Sequence, residues 1–390
     1  MIELGNIGPY IASAVPSIDA LDKIRWQAFI GPDQPYLDPR HLGILEKTGL
    51  IGEAVGIIPY YVTLTDQAGV LKGAAPAFLK DNSNGELGID WGLPLAHERA
   101  VGPYYPKLVV EVPLTPWPGQ RLLVDHAEDC IAIRESLLIA LNQLAQKTGV
   151  RSVQIAYGTR EDQVAAQAQG YVPADTLTFT WRSRAETDFD AFRSSLTKGG
   201  RWRLKTEYEK RVAEGVVIRR VQGSEITPDL MSKIHELYCD VFEQHAHAEW
   251  LNRAYFDALL QTMPDAIEFL AAWEDDVPIA GLLCFCGEKT ISAQHWVTKS
   301  ARIGLLFSLM YHSYKEAIER GYSAVDYGTI GAHKALRAAA PEPLFHAFKF
   351  VDDAFQNLAT TVLAKRQKVH EAAYLDFARQ VPYKDKRLPE

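Results

Sequence analysis

Apolar positions recur three and four apart over Ile131–Gly149, at Leu137, Leu138, Leu141 and Leu144, and this spacing predicts an amphipathic helix closed by a glycine. Helical spacing also runs through Ser17–Phe29 and Asp38–Leu50, with Ser17 and Asp38 placed as caps. Extended apolar runs follow at "IIPYYVTLTD" and "GVLKGAAPAFLK", separated by the hairpin signal "DQAG". A loop rich in glycine, aromatic and charged residues spans Asp81–Lys107, and "LVVEVPLTP" then reads as a strand. "SVQIAYG", a short helix and "YVPADTLTFTW" complete the first half.

The second half repeats this order of elements without repeating the residues. A basic helix leads into "VVIRRV", two helices ("TPDLMSKIHELYCDVFEQH" and "NRAYFDALLQTM"), the strands "AIEFLAAWEDD", "VPIAGLLCFCGE" and "TISAQHWVTKS", and the long helix Gly304–Gly321. "AVDYGTI", a short helix after His333 and "PLFHAFKFVDD" close it. The repeated order points to an internal duplication. Helices interleaved with a mostly antiparallel sheet that has a parallel pair at its centre describe the acyltransferase fold of the GNAT type. The expectation is an α/β (α+β) chain of two tandem GNAT-like domains, residues 1–183 and 184–390, joined near "RSRAETD".

Composition narrows the class. The 390 residues are 47% hydrophobic, enough for packed cores, and no apolar run approaches the roughly 20 residues that span a bilayer. The N-terminus lacks a basic segment followed by an apolar run, so the expectation is a cytoplasmic protein with no membrane partner. Four scattered cysteines make no disulfide framework. Cys284 and Cys286 read as core. His245 and His247, lacking a third ligand, read as a polar loop, so no metal is expected. The net charge of −8 argues against nucleic acid, but Arg193–Arg220 holds nine Lys/Arg against three Glu. Such a stripe is either a solvated helix face or a surface for phosphates, with Lys198, Arg201, Arg203, Lys205, Lys210 and Arg211 as the candidates for tRNA.

The segment Gly73–Val124, running from an apolar strand through an acid–aromatic pair to "YYPKL" and "VPLTP", resembles the signature region of FemAB-like GNAT proteins. The late "GTIGAHK" and "IAGLL" fit the same family, and the resemblance covers nearly the whole chain. It implies two GNAT-like domains and the transfer of an amino acid from aminoacyl-tRNA to an amine. No other cofactor and no covalent enzyme intermediate are implied. It also implies that Lys334, in a late position comparable to a family lysine, stabilises the oxyanion. The chain departs from the family at "DYGTIGAHK" and "EQHAHAEWLN", where an acceptor would sit, which favours a small-molecule amine over a cell-wall precursor.

The residues themselves allow this chemistry. A glycine-rich pyrophosphate turn, expected of a coenzyme A enzyme at the start of each long helix, is missing from "LLVDHAEDCIAIRE" and from "VTKSARIGLLF", although Lys299 and Arg302 remain able to meet a phosphate. An activated ester needs an oriented amine, a proton acceptor and a donor for the oxyanion. Lys334 is the candidate donor, His333 a candidate proton acceptor, and Asp326 and Tyr327 a candidate acid and phenol on opposite sheet faces. Asp90, Trp91, Glu98, Arg99, Tyr104, Tyr105 and Lys107 from the first-half loop, with His295 and Trp296, are candidates for holding the acceptor. The rival readings are an acyl-CoA N-acyltransferase, a peptidoglycan-precursor aminoacyl transferase, and a non-catalytic RNA- or amine-binding relative.

Overall fold

The computed structural model describes residues 1–244, 249–299, 302–329 and 331–386. The chain divides into two compact units, Met1–Thr176 with Leu344–Glu371, and Leu177–Pro343 with Ala372–Glu390. The sequence suggested one cut at 183/184. The division instead falls inside the strand Val172–Arg182, and the chain later returns to the first unit. Backbone pairing is the reason: Phe345–Phe350 pairs with Ser152–Gly158.

In the first unit an N-terminal hairpin, Ile2–Ile7 and Tyr10–Val15, starts an antiparallel sheet continued by Tyr61–Thr65, Leu71–Ala75 and Leu123–Val124. The two long apolar runs of the sequence are each interrupted, at Tyr60 and at Pro76. Their other halves, Ile57–Pro59 and Ala77–Lys80, pair with each other in a different sheet, where Ala77–Lys80 also pairs with Lys107–Val110. Lys107–Val110 and Ser152–Gly158 then form a parallel pair.

The helix Cys130–Thr148 ends at Gly149 in the left-handed conformation and buries Leu137, Leu138, Leu141 and Leu144 against this unit's core. Each fully buried leucine contributes roughly 1.5–3 kcal/mol. The helix lies so close to the sheet that a Cβ on Gly73 would stand 2.5 Å from Ile133, so the strand needs glycine there.

In the second unit the strands run in the order Val217–Gln222, Ile267–Glu274, Val277–Cys286, Thr290–Thr298, Ala324–Asp326, with Thr180–Arg182 pairing next. All neighbours are antiparallel except Thr290–Thr298 and Ala324–Asp326, which are parallel over Thr290–Ser292 only. Beyond Ser292 the first strand continues six residues without that partner. The helix Gly304–Arg320 fills one face of the sheet with Leu309, Met310, Tyr311 and Tyr314.

Two elements lie outside the sequence expectation, the N-terminal hairpin and the 28-residue helix Asp353–Gln380. A third is the helix Leu93–Ala100 inside the segment read as loop.

Candidate active site

Where the parallel pair of the second unit comes apart, the chain leaves Asp326, turns at Tyr327–Gly328 and forms a short 3-10 helix, Ala332–Arg337. Gly331 enters it with φ 104, and a Cβ there would lie 2.6 Å from the His333 ring, so the turn needs glycine. This compact turn points Lys334 inward. The side chain is buried (5% exposed); its Nζ donates to the carbonyls of Tyr327 (2.5 Å) and Gly328 (3.4 Å) and lies 5.0 Å from the centre of the Trp296 ring. An ammonium has three protons, and among the described residues hydrogen-bond acceptors are seen for two of them. Burial pushes the Lys334 pKa down to about 7, opposed by the charge of Asp326.

Asp326 is also buried. Its Oδ1 accepts from Thr178 Oγ1 (2.8 Å) and from the Gly328 N–H (2.7 Å). Burial raises its pKa to about 6 against the effect of those two donors.

The other candidates at this strand end separate by role. Tyr327 points into the core, its hydroxyl paired with Ser313 Oγ (2.5 Å) and the Met310 carbonyl (3.3 Å), and burial raises its pKa well above the ordinary value. It is a packing residue rather than an acid or base. His333 is exposed beside Phe307, and partial desolvation with the charges of Arg337 and Lys334 lowers its pKa to about 4. At neutral pH it is uncharged and a weak acceptor. His295 and Trp296 face opposite ways, as a strand requires. His295 packs among Tyr238, Tyr255 and Phe256, whereas Trp296 shares the Lys334 side.

The first-unit candidates are not a binding loop. Lys107 Nζ bonds Ser83 Oγ (2.8 Å), Glu86 (2.6 Å) and Asp90 (2.8 Å), using all three protons. Lys80 bridges Glu86 and Glu111 in the same buried network. Tyr104 donates to Asp90 (3.1 Å), and Tyr105 pairs with Ser83. The Asp90 carboxylate is therefore already matched. Trp91 (86% exposed), Glu98 and Arg99 point the other way, at and on the helix Leu93–Ala100, so the loop does not converge on one ligand.

The basic stripe is redistributed by the fold. It forms the helix Lys198–Leu204, a π turn Lys205–Glu209 and the helix Lys210–Ala213. Arg219 pairs with Asp276, Arg220 with Glu316, and Lys210 and Arg211 with Glu214. Arg201 donates to the Leu196 carbonyl and Arg203 to that of Leu336 (3.2 Å). Lys198 and Lys205 are exposed and have no described partner.

Glu207 holds Arg337 through two bonds (2.8 and 2.7 Å), so the π turn grips the same 3-10 turn that carries Lys334. The sequence reading missed the Glu207–Arg337 pair and Trp202, which is 65% exposed in the middle of the basic helix. A tryptophan set between two arginines was the available signal for the second.

His245 and His247 lie outside the described residues. Among the described residues no group of three His, Cys, Asp or Glu is arranged to hold a metal, and no helix is long and apolar enough to cross a membrane.

Sheets with a central parallel pair, each packed under one long helix, have the arrangement of the GNAT fold. The family model for FemAB-like proteins, described as peptidoglycan biosynthesis/recognition, matches residues 17–385, and the chain belongs to that family. No curated protein matches it. Among solved structures it is similar to a chain described as the C-terminal domain (DUF2156) of a lysylphosphatidylglycerol synthetase from Agrobacterium fabrum, with TM-score 0.56 and 13% identity over 88% of this chain and 95% of that one. The L-PGS of Bacillus licheniformis gives TM-score 0.51 and 13% identity over 82% and 95%. FemX gives TM-score 0.50 and 10% identity over 78% and 91%. At these identities the likeness is one of fold.

Proposed function

We propose that this transferase forms an amide between an amino acid carried by tRNA and an amine of a small molecule. The observation that carries the reading is Lys334, buried where the parallel strands part, with one proton unmatched among the described residues, on a turn tied to the basic helix by Arg203 and to the π turn after it by Glu207–Arg337. The amine nitrogen bonds to the ester carbonyl carbon while the Lys334 ammonium donates to the oxygen as it gains charge. The carbon–oxygen bond to the ribose then breaks. The proton lost by the amine passes through the Asp326 carboxylate to the departing ribose oxygen, and the amide and uncharged tRNA are released.

The first unit supports a donor other than coenzyme A. The start of its long helix is occupied by its own Asp129 carboxylate, which accepts from the N–H groups of Ile131 and Ala132. One observation favours the acyl-CoA reading: the helix Gly304–Arg320 begins without a side-chain cap. A single assay separates the two. Purified protein with a pool of charged tRNAs and extract amines, followed by mass spectrometry, is expected to give an aminoacylated product that disappears on RNase treatment. Product made from acyl-CoA in the RNase-treated mixture would overturn the tRNA reading.

A further inference from the structure

The helix Lys198–Leu204 turns Gly200 and Leu204 into the core and leaves its opposite face open. On that face Lys198, Trp202 and Lys205 stand at i, i+4 and i+7, within about 60° of one another around the helix axis. Trp202 presents 65% of its surface to solvent, an unusual position for so large an apolar ring.

The charges around it have been sorted by the fold. Every acid of the stripe is matched: Glu207 by Arg337, Glu209 by Arg193, and Glu214 by Lys210 and Arg211. Arg201 and Arg203 are committed to backbone carbonyls. What remains outward is an aromatic plane between two ammonium groups, one on each side along the helix, that have no acidic partner among the described residues.

We infer that Trp202 is a stacking platform for an unpaired base of the RNA donor, with Lys198 and Lys205 on the phosphates either side of it. The inference rests on the tRNA reading above. Base–aromatic stacking tolerates any base, and paired ammonium groups follow a phosphate backbone, so together they suit a single-stranded 3′ end better than a duplex. The platform is also mechanically joined to the reaction centre. Arg203, the next residue, bonds Leu336 on the turn that bears Lys334.

The test uses the full chain with uncharged tRNA and with a short single-stranded RNA, titrated by anisotropy at several salt concentrations. Trp202→Ala is expected to weaken binding of both RNAs about 5- to 100-fold, and Trp202→Phe to restore most of it. The Lys198→Ala/Lys205→Ala double variant is expected to lower the slope of log K against log salt by about 1.5, as two lost phosphate contacts require. Trp202 is exposed, so unchanged melting temperatures accompany these variants. If the wild type binds and uses charged tRNA but Trp202→Ala binds equally well, the stacking proposal fails and the donor reading stands. Unchanged RNA affinity with loss of a protein partner would likewise overturn it in favour of a protein-docking face. If the wild type binds no tRNA, both fall.

Discussion

Asp326 and Lys334 are buried at the same strand end, and burial drives their ionisations toward each other, the carboxyl up to about 6 and the ammonium down to about 7. Among the described residues no carboxylate closes an ion pair with Lys334; its partners are the carbonyls of Tyr327 and Gly328. A lysine held this way is poorly explained by stability, because an unpaired buried charge is costly. As a positioned donor it is well explained. Lys334→Met is therefore expected to lower kcat about 100- to 1,000-fold, the typical cost of removing one oxyanion donor, with little change in the apparent KM for charged tRNA. Single-turnover kinetics on the folded variant check this. A variant retaining more than a tenth of wild-type kcat would remove Lys334 from the mechanism.

The same pair sets a pH window. The proton acceptor must be ionised, so activity rises as pH climbs through the Asp326 value of about 6. The donor must keep its proton, so activity falls through the Lys334 value of about 7. A narrow optimum between the two is expected in kcat/KM, with Asp326→Asn removing the acid limb.

Stability follows with its own sign. The Lys334 pKa is depressed on folding, so the unfolded chain holds that proton more tightly between pH 7 and the ordinary lysine value. Wild-type stability should then gain on Lys334→Met by about 1.4 kcal/mol per pH unit across that interval. Denaturant midpoints at pH 7, 8 and 9 read it directly.

Glu207 and Arg337 link the π turn after the basic helix to the turn that carries Lys334, and Arg337 also lies 3.5 Å from the centre of the Phe307 ring. Glu207→Gln removes the charge while keeping hydrogen-bonding capacity. The expected outcome is a loss of about 1–3 kcal/mol of stability, because Arg337 is buried and is left without its counter-charge. A lower kcat should accompany it as the turn loosens, with RNA affinity within about twofold, an RT ln 2 difference of roughly 0.4 kcal/mol. A fall in RNA affinity without a fall in kcat would show that the pair serves binding instead.

The fold was legible where one face of an element is buried. The leucines of Cys130–Thr148 announced themselves because the period of the pattern matches the period of the backbone, and strands such as Val277–Cys286 because an unbroken apolar run marks a strand buried on both faces. The helix Asp353–Gln380 did not, since it buries only Phe355, Ala359 and Leu363 over 28 residues, too thin a stripe to stand out. The segment containing Leu93–Ala100 hid its helix among glycines and prolines, which read as loop chemistry.

The site was legible in part. Lys334 and Asp326 stood out as candidates because one sits on the turn after an apolar strand and the other ends that strand, and the fold buries both. Asp90 and Lys107 were misplaced because an acid and a base 17 residues apart give no sign that they will neutralise each other. The basic stripe showed its charge but not its pairing, which depends on acids as distant as Glu316.

That buried first-unit network makes the last prediction. Glu86, Asp90 and Lys107 are almost wholly shielded from water, and Lys107 holds both carboxylates at 2.6 and 2.8 Å. Lys107→Met would leave Glu86 with Lys80 alone and Asp90 with only the hydroxyls of Ser83 and Tyr104. The expected cost is about 3–5 kcal/mol, that of stranding a buried charge. Asp90→Asn costs less, since Asn still accepts from Ser83 and Tyr104. If the network only braces the segment 81–107, kcat per folded molecule stays at the wild-type value in Asp90→Asn, and only the unfolding midpoint moves. If instead Asp90 binds the acceptor amine, Asp90→Asn raises the acceptor KM at least tenfold at unchanged stability, and the structural assignment falls.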